Sequence, residues 1–336
     1  MNGFERVAAK LAGVPVDRLP LMPITMMYAA DRAGIHYRKY ATDGAALAEA
    51  QLRIAEEFGF DHVSAISDPA REVADLGGGV EWFDDQPPAV HGEDTVLADK
   101  AKLATLQLPD PEAPGRMSDR LLALRQLSAR AGKALVVEGW IEGPCAMAAD
   151  LRGMNRLMLD FSDDPEFVDA LMDYAVQMEL RFAAAQVQAG ATLMGVGDAA
   201  ASLVGPRIYS RFVLEWEKRL TAGVRALGVP VRLHICGNTR KIVRGMGETG
   251  AAIIDIDYLT PLSEAREAMG SAQVLLGNLD PVRTLCHGTP ESVYAALQEC
   301  YDATGPAFIV GAGCEVPRGT PAGNIRAMAR FAADHQ

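Results

Sequence analysis

The chain is short of cysteine, of positive charge and of long apolar runs, and each shortage closes off a class of function. Five cysteines in 336 residues are too few, and odd in number, for a disulfide scaffold, so a reduced, cytoplasmic setting is expected. Lys and Arg total 32 against 44 Asp and Glu, a formal net charge of −12. A nucleic-acid scaffold would carry a basic footprint, and so would a protein docked on an anionic membrane. No apolar run approaches the ~20 residues of a membrane span. The opening MNGFERVAAKLAGVPVDRLP mixes charge into its apolar stretch and reads as lacking a signal-peptide core. What the chain does have is bulk: 49% hydrophobic and 23% charged residues support a large buried core and exclude disorder throughout.

Short apolar runs alternate with amphipathic stretches along the whole length. Strand-like runs are expected at 19–25, 62–67, 134–138, 191–197, 229–236, 252–258, 273–278 and 307–313. Most are nearly continuous in Val, Ile, Leu, Met and Ala, as strands covered on both faces should be. Helical patterns are expected at 43–58 (behind Asp43 as N-cap), 165–188, 206–227, 241–249, 262–269 and 290–301. Eight β-then-α units predict an α/β fold, a (β/α)8 TIM barrel built as a single domain over 1–336. The rival is an open doubly wound sheet, but no G-x-G-x-x-G turn follows the first strand. The longest interruption, 77–119, reads as an excursion inserted after the second βα unit and carrying a short helix.

The most informative residues are His234-Ile235-Cys236 at the end of VPVRLHIC. Positions i and i+2 of a strand point to one side, so imidazole and thiolate would converge beyond its C-terminal end. In a parallel barrel that end is the functional face. Cys314, ending the last strand in FIVGAGC, offers a third soft donor. One imidazole and two thiolates suit Zn²⁺ and leave a fourth position open. A closed structural zinc is the bland alternative, with Cys286-His287 as a poor source of the fourth ligand. Buried cysteine is also commonly a small hydrophobe, and that role is expected for Cys145, in a loop, and Cys300, in a helix.

The chain resembles the uroporphyrinogen decarboxylase superfamily over residues 4–333, in particular its cobalamin-dependent methyltransferase branch. The resemblance rests on Ile66-Ser67-Asp68, Val204-Gly205-Pro206-Arg207-Ile208-Tyr209 with Phe212-Val213-Leu214, and His234 through Thr239. It continues in Asp255-Ile256-Asp257, Gly277-Asn278-Leu279-Asp280-Pro281 and Gly311-Ala312-Gly313-Cys314. Methylcobamide:coenzyme M methyltransferases of this branch carry a His-x-Cys…Cys zinc motif, which the resemblance maps onto His234, Cys236 and Cys314. It also implies the barrel. Two departures separate the chain from true decarboxylases. Their arginine-rich N-terminal segment is replaced by residues 25–34 with Arg32 alone, a poor clamp for an octa-anionic porphyrinogen. Their Gly-His-Gly near the last strand is replaced by Gly313-Cys314-Glu315.

The resemblance therefore implies a zinc-dependent methyltransferase, with a corrinoid (cobalamin) as methyl carrier and a small thiol or methylated compound as partner. No Asp-x-His-x-x-Gly corrinoid signature is present, so the cobalamin is expected free or on a separate corrinoid protein. Neither nucleic acid nor membrane is an expected partner. Uroporphyrinogen decarboxylase, a metal-free lyase, is the alternative. Three acids are candidate catalytic groups. Asp68 matches the decarboxylase aspartate, though Asp before Pro is also turn chemistry. Asp198 ends the fourth expected strand in GVGDAA, and capping is its other reading. Asp257 shares a strand face with Asp255, and one of the two is expected to hold the ring N–H of His234. Asp280 is expected to cap the segment from Pro281. Glu142, after the third expected strand, has two readings, lining the pocket or, more simply, solvent exposure; His36 and His62 are expected in structural roles, and Arg207 and Arg211 on a solvated face.

Overall fold

The computed structural model describes residues 1–92 and 94–336. Seven parallel strands pair in chain order into one curled sheet: β1 (His62–Ser64), β2 (Val136–Glu142), β3 (Leu193–Gly197), β4 (Val231–Ile235), β5 (Ile253–Ile256), β6 (Val274–Leu279) and β7 (Phe308–Ala312). Apart from Gly197 and Asn278, every strand residue is buried, which explains the continuous apolar runs. Helices cover the outside. Gly44–Phe58 starts where Asp43 accepts from the N–H groups of Ala45 and Ala46, and stops at Gly59, whose φ of 71° ends the turn left-handed. Pro165–Gln188 begins with Pro165 in its first turn and the Asp164 carboxylate on the Phe167 N–H.

The first expected strand, 19–25, is reduced to a single parallel bridge between Leu21 and Val310. The cause is in the residues: Pro20 and Pro23 have no N–H to give a ladder. The segment still bonds on both sides. Met22 N–H donates to Val310 O, Val310 N–H to Pro20 O, and Asp61 N–H to Leu21 O, at 2.8–3.0 Å.

Other elements differ in extent. β2 runs four residues beyond the expected 134–138, so Glu142 ends a strand rather than sitting in a loop. The helix expected over 206–227 is broken into Gly205–Ile208, a wide π turn Tyr209–Val213 and Leu214–Ala226. The stretch 77–119 holds a two-residue antiparallel ladder, Val80–Glu81 with Ala89–Val90, a 3₁₀ turn Lys100–Thr105 and the start of helix Arg116–Ala131. Cys145 lies buried in helix Pro144–Arg152, not in a loop. No helix among the described residues is long and apolar enough to cross a membrane.

Candidate metal centre

The centre is built at the C-terminal ends of the strands. In the sheet register His234 of β4 is flanked by Gly197 of β3 and Asp255 of β5. Cys236 follows one residue past β4, and Cys314 two residues past β7. Their donor atoms converge: His234 Nε2 lies 3.0 Å from Cys236 Sγ, and the two sulfurs are 3.6 Å apart. All three donors fall within 4.8 Å of one another. Gly237 makes the turn away from the strand at φ 95°, a backbone state that a side chain at this point would resist. Its N–H donates to Asp257 Oδ2 at 2.8 Å, which fixes the loop directly behind Cys236.

The imidazole is held from behind. His234 Nδ1 is 3.2 Å from the Asp255 carbonyl oxygen and 3.4 Å from its Oδ2. A proton on Nδ1 satisfies both, so that Nε2, which faces the sulfurs, is the nitrogen that would bind a metal on losing its own proton. Of Asp255 and Asp257, Asp255 is thus the one that orients the ring. Asp255 is in turn gripped by Arg232, whose Nη2 and Nε lie 2.6 and 3.0 Å from Oδ2. The Nη1 of Arg232 reaches Glu138 Oε1 at 3.3 Å.

Charge follows geometry. Burial alone would raise the Asp255 carboxyl, but Arg232 and His234 outweigh it and hold it below the usual carboxylate range. Burial would likewise lower His234, yet Cys236 and Asp255 beside it raise it well above the ordinary histidine value. The two sulfurs share one proton. The hydrogen bond from Cys236 draws the Cys314 thiol down to about 4, while that same bond and burial push Cys236 up. The imidazole and the neighbouring thiol together favour a thiolate at Cys314, the form in which cysteine binds a metal.

The trio opens on a cavity of about 210 Å³. Ile24, Met26, Ile66 and Trp140 form its apolar walls, and Asp68, Arg71, Glu142 and Glu315 its polar ones. The Trp140 ring lies across Gly195, where a Cβ would come within 2.2 Å of it; glycine there is what admits the indole.

The three candidate acids occupy different places. Asp68 lines the cavity with Arg116 Nη2 2.6 Å from its Oδ2, and its Oδ1 accepts from Ala70 N–H at 3.1 Å. Burial would raise it, but Arg116 keeps it low. Its loop is held by Tyr37, whose hydroxyl donates to Ser67 O, and by Tyr40, donating to Ile66 O at 3.1 Å. Asp257 braces the Cys236 loop through Gly237 and also accepts from Leu259 N–H at 2.9 Å. Asp198, wholly buried, turns both oxygens onto the first N–H groups of helix Pro144–Arg152, Ala146 at 2.6 Å and Cys145 at 3.3 Å. Burial pushes its carboxyl up to about 7. Its neighbours Gly197 and Ala199 line the cavity.

Sequence reasoning missed Arg71, Trp140 and Glu315 altogether; of the two readings of Glu142, pocket lining holds and solvent exposure does not. Glu142 is 7% exposed because Arg71 Nη2 meets its Oε1 at 2.9 Å from a helix far upstream. The other expectations are located plainly. Asp280 caps its turn through the N–H groups of Val282 and Arg283. Arg207 and Arg211 are exposed. His36 sits in solvent 3.7 Å from Asp85, and His62 is buried. Cys286 Sγ lies 3.8 Å from Arg318 O, and neither it nor His287 belongs to the His234–Cys236–Cys314 group.

The family to which this chain belongs is shown by its similarity to known proteins over nearly its whole length. The family description uroporphyrinogen decarboxylase (URO-D) matches residues 2–335, and the chain belongs to that family. Among characterised relatives, the methylcobamide:CoM methyltransferase MtbA of Methanosarcina mazei is 30% identical, across 99% of this chain and 98% of that protein. The uroporphyrinogen decarboxylase of Salinispora tropica is 26% identical across 78% of this chain and 72% of its own length. A solved methyltransferase structure from Methanosarcina mazei superposes with a TM-score of 0.90 at 22% identity, covering 99% of both chains, which supports the fold.

Proposed function

We propose that this protein is a corrinoid-dependent methyltransferase whose reacting partner is activated by Zn²⁺ on His234, Cys236 and Cys314. The observation that carries the reading is the meeting of three soft donors at one end of the sheet, on the wall of a cavity. The donor set fits the ion: two thiolates on a tetrahedral zinc stand about 3.8 Å apart, since each Zn–S bond is about 2.3 Å. The sulfurs here are 3.6 Å apart. His234 and Cys236 would need to spread by about half an ångström to share the ion. Zinc bound there supplies Lewis acidity that keeps a substrate thiol deprotonated or polarises a methylated donor, while a corrinoid carries the methyl group.

The chain's own residues do the positioning. His234 is locked in one tautomer by Asp255 and Arg232. Asp257 fixes the Cys236 turn, and Asp68 with Arg116 anchors the opposite wall. Asp198 holds the third wall in place by tying helix Pro144–Arg152 to the end of β3. The apolar walls exclude water from the reacting atoms and favour one orientation of the small substrate. The sequence segment 19–25 is read as the eighth wall of a single-domain (β/α)8 barrel, with 77–119 as its inserted excursion. The corrinoid arrives free or on a partner protein.

The lyase reading is disfavoured by size and charge. The cavity is smaller than the roughly 300–1,000 Å³ of drug-sized ligand sites, and among the described residues its basic lining groups are Arg71 and His234, with no cluster of arginines for an octa-anionic tetrapyrrole. The test is methyl transfer from methylcobalamin to an added thiol, followed in the corrin absorbance. Zinc-loaded protein should turn over. Cys236→Ser and Cys314→Ser should each lose stoichiometric zinc and at least about 10²-fold in rate, with an unchanged circular dichroism spectrum. Full metal content and full rate in both variants would remove the basis of the proposal.

A further inference from the structure

Behind the cavity wall lies a group of acids that the methyl-transfer chemistry leaves unused. Arg71, fully buried, is the cation at its centre. Its Nη2 meets Glu142 Oε1 at 2.9 Å and Glu72 Oε1 at 3.3 Å. Glu179, from helix Pro165–Gln188, is also fully buried and lies against Glu72, Glu142 and Arg71. Asp150, on helix Pro144–Arg152, feels Glu72 and Arg71. Four carboxyl groups thus share one guanidinium. Beside them stand Asp68, already paired with Arg116, and Asp198, which caps helix Pro144–Arg152. Such an excess of buried acids over cations is stable only if most of the acids hold protons. Burial accordingly raises Glu72, Glu142 and Glu179 above the usual carboxylate range and pushes Asp150 up to about 8.

The group has two ends. Glu142 lines the cavity that also holds His234, Cys236 and Cys314. Asp150 does not line that cavity, yet it is half-buried rather than sealed, so its exposed part faces outside solvent. Between the ends, Glu72 Oε2, both carboxyl oxygens of Glu179 and Arg71 Nη1 are buried without a hydrogen-bond partner. Clustered polar atoms of this kind are satisfied by internal water, and water between carboxyl groups conducts protons.

We propose that Glu142, Glu72, Glu179 and Asp150, grouped round Arg71, carry the proton of the substrate thiol from the cavity to solvent. The proposal rests on the methyltransferase reading and supplies the proton acceptor that reading needs. As the thiol becomes thiolate, its S–H bond breaks and the sulfur keeps the electron pair. Arg71 keeps one member of the group ionised as its counter-ion, and that member takes the proton. A second proton leaves Asp150 for water, which restores the group. When the sulfur pair forms the new S–CH₃ bond, the methyl–cobalt bond breaks and its electrons stay on cobalt. No oxidant or reductant enters.

The experiment follows methyl transfer from methylcobalamin by zinc-loaded protein at pH 8, with ethanethiol and with trifluoroethanethiol. The fluorinated thiol is the stronger acid and is largely thiolate in solution already, so it needs no acceptor. Glu142→Gln should slow the ethanethiol reaction at least about tenfold and the trifluoroethanethiol reaction less than about twofold. Glu179→Gln is the deciding variant, because Glu179 does not line the cavity and can discriminate between the thiols only through the proton. It should slow ethanethiol alone, at least about threefold, and raising the pH should restore that rate. That contrast sustains the proposal even where Glu142→Gln folds poorly. A Glu179→Gln protein that slows both thiols alike, or neither, overturns the proposal and leaves the methyltransferase reading standing. No transfer to either thiol by the unaltered protein overturns that reading instead, and the proposal with it.

Discussion

Two buried histidines, His62 of β1 and His234 of β4, stand at the two ends of one charged chain and have opposite characters. His62 Nε2 is 3.8 Å from Glu138 Oε2; Glu138 meets Arg232, Arg232 meets Asp255, and Asp255 meets His234. Burial, reinforced by Arg232, drives His62 down to about 3 and keeps it neutral. His234 faces the sulfur of Cys236 and the carboxylate of Asp255 and is raised. Burial is nearly the same for both, at 2% and 3% exposure. The difference lies in which charges each ring touches, so burial alone does not decide the character of a histidine inside this sheet.

Removing the link between them is expected to have the largest effect. Arg232→Met leaves Glu138 and Asp255 buried without their cation, and loss of one partner from such a group costs about 3–5 kcal/mol. Urea unfolding should show that loss, and a cost below about 1 kcal/mol would mean the chain of charges is not what holds the core of the sheet. Asp255→Asn acts on the His234 end alone. It should weaken zinc binding by about 10–100-fold in a competitive chelator titration, and unchanged affinity would place the orientation of His234 elsewhere.

The smallest effect belongs to the His62 end. His62→Gln should leave metal content untouched and change only the acid limb of stability. The sign follows from the depressed folded value. Between the ordinary histidine value of 6.5 and about 3, the unfolded chain binds a proton that the folded chain refuses. Stability therefore falls as pH drops through that window. The variant should lose that one-proton slope in unfolding measured from pH 7 to 4. Loss of zinc from His62→Gln would erase the contrast between the two histidines.

The sequence made much of this legible, and particular residues explain what it hid. His234, Cys236 and Cys314 could be placed because strand alternation and strand ends are local properties. Capping by Asp43 and Asp280 was legible for the same reason. The first strand was overestimated since apolar composition in LPLMPIT outweighed two prolines that remove the ladder donors. Helix Pro144–Arg152 was missed although Gly143-Pro144 is a start signal; eight of its nine residues are buried, so no amphipathic period marks it. For Glu142 solvent exposure was the simpler reading and pocket lining the second, because its burial depends on Arg71, 71 residues away in sequence. Long-range ion pairs of this kind leave no trace in local pattern.

The most direct measurement is the metal itself: elemental analysis of the purified protein together with X-ray absorption at the zinc edge. The account predicts one zinc per chain, with two sulfur ligands near about 2.3 Å and one nitrogen and one exchangeable light atom near about 2.0–2.1 Å. A metal-free protein, or a zinc closed by a fourth protein side chain that added thiol does not displace, would contradict it.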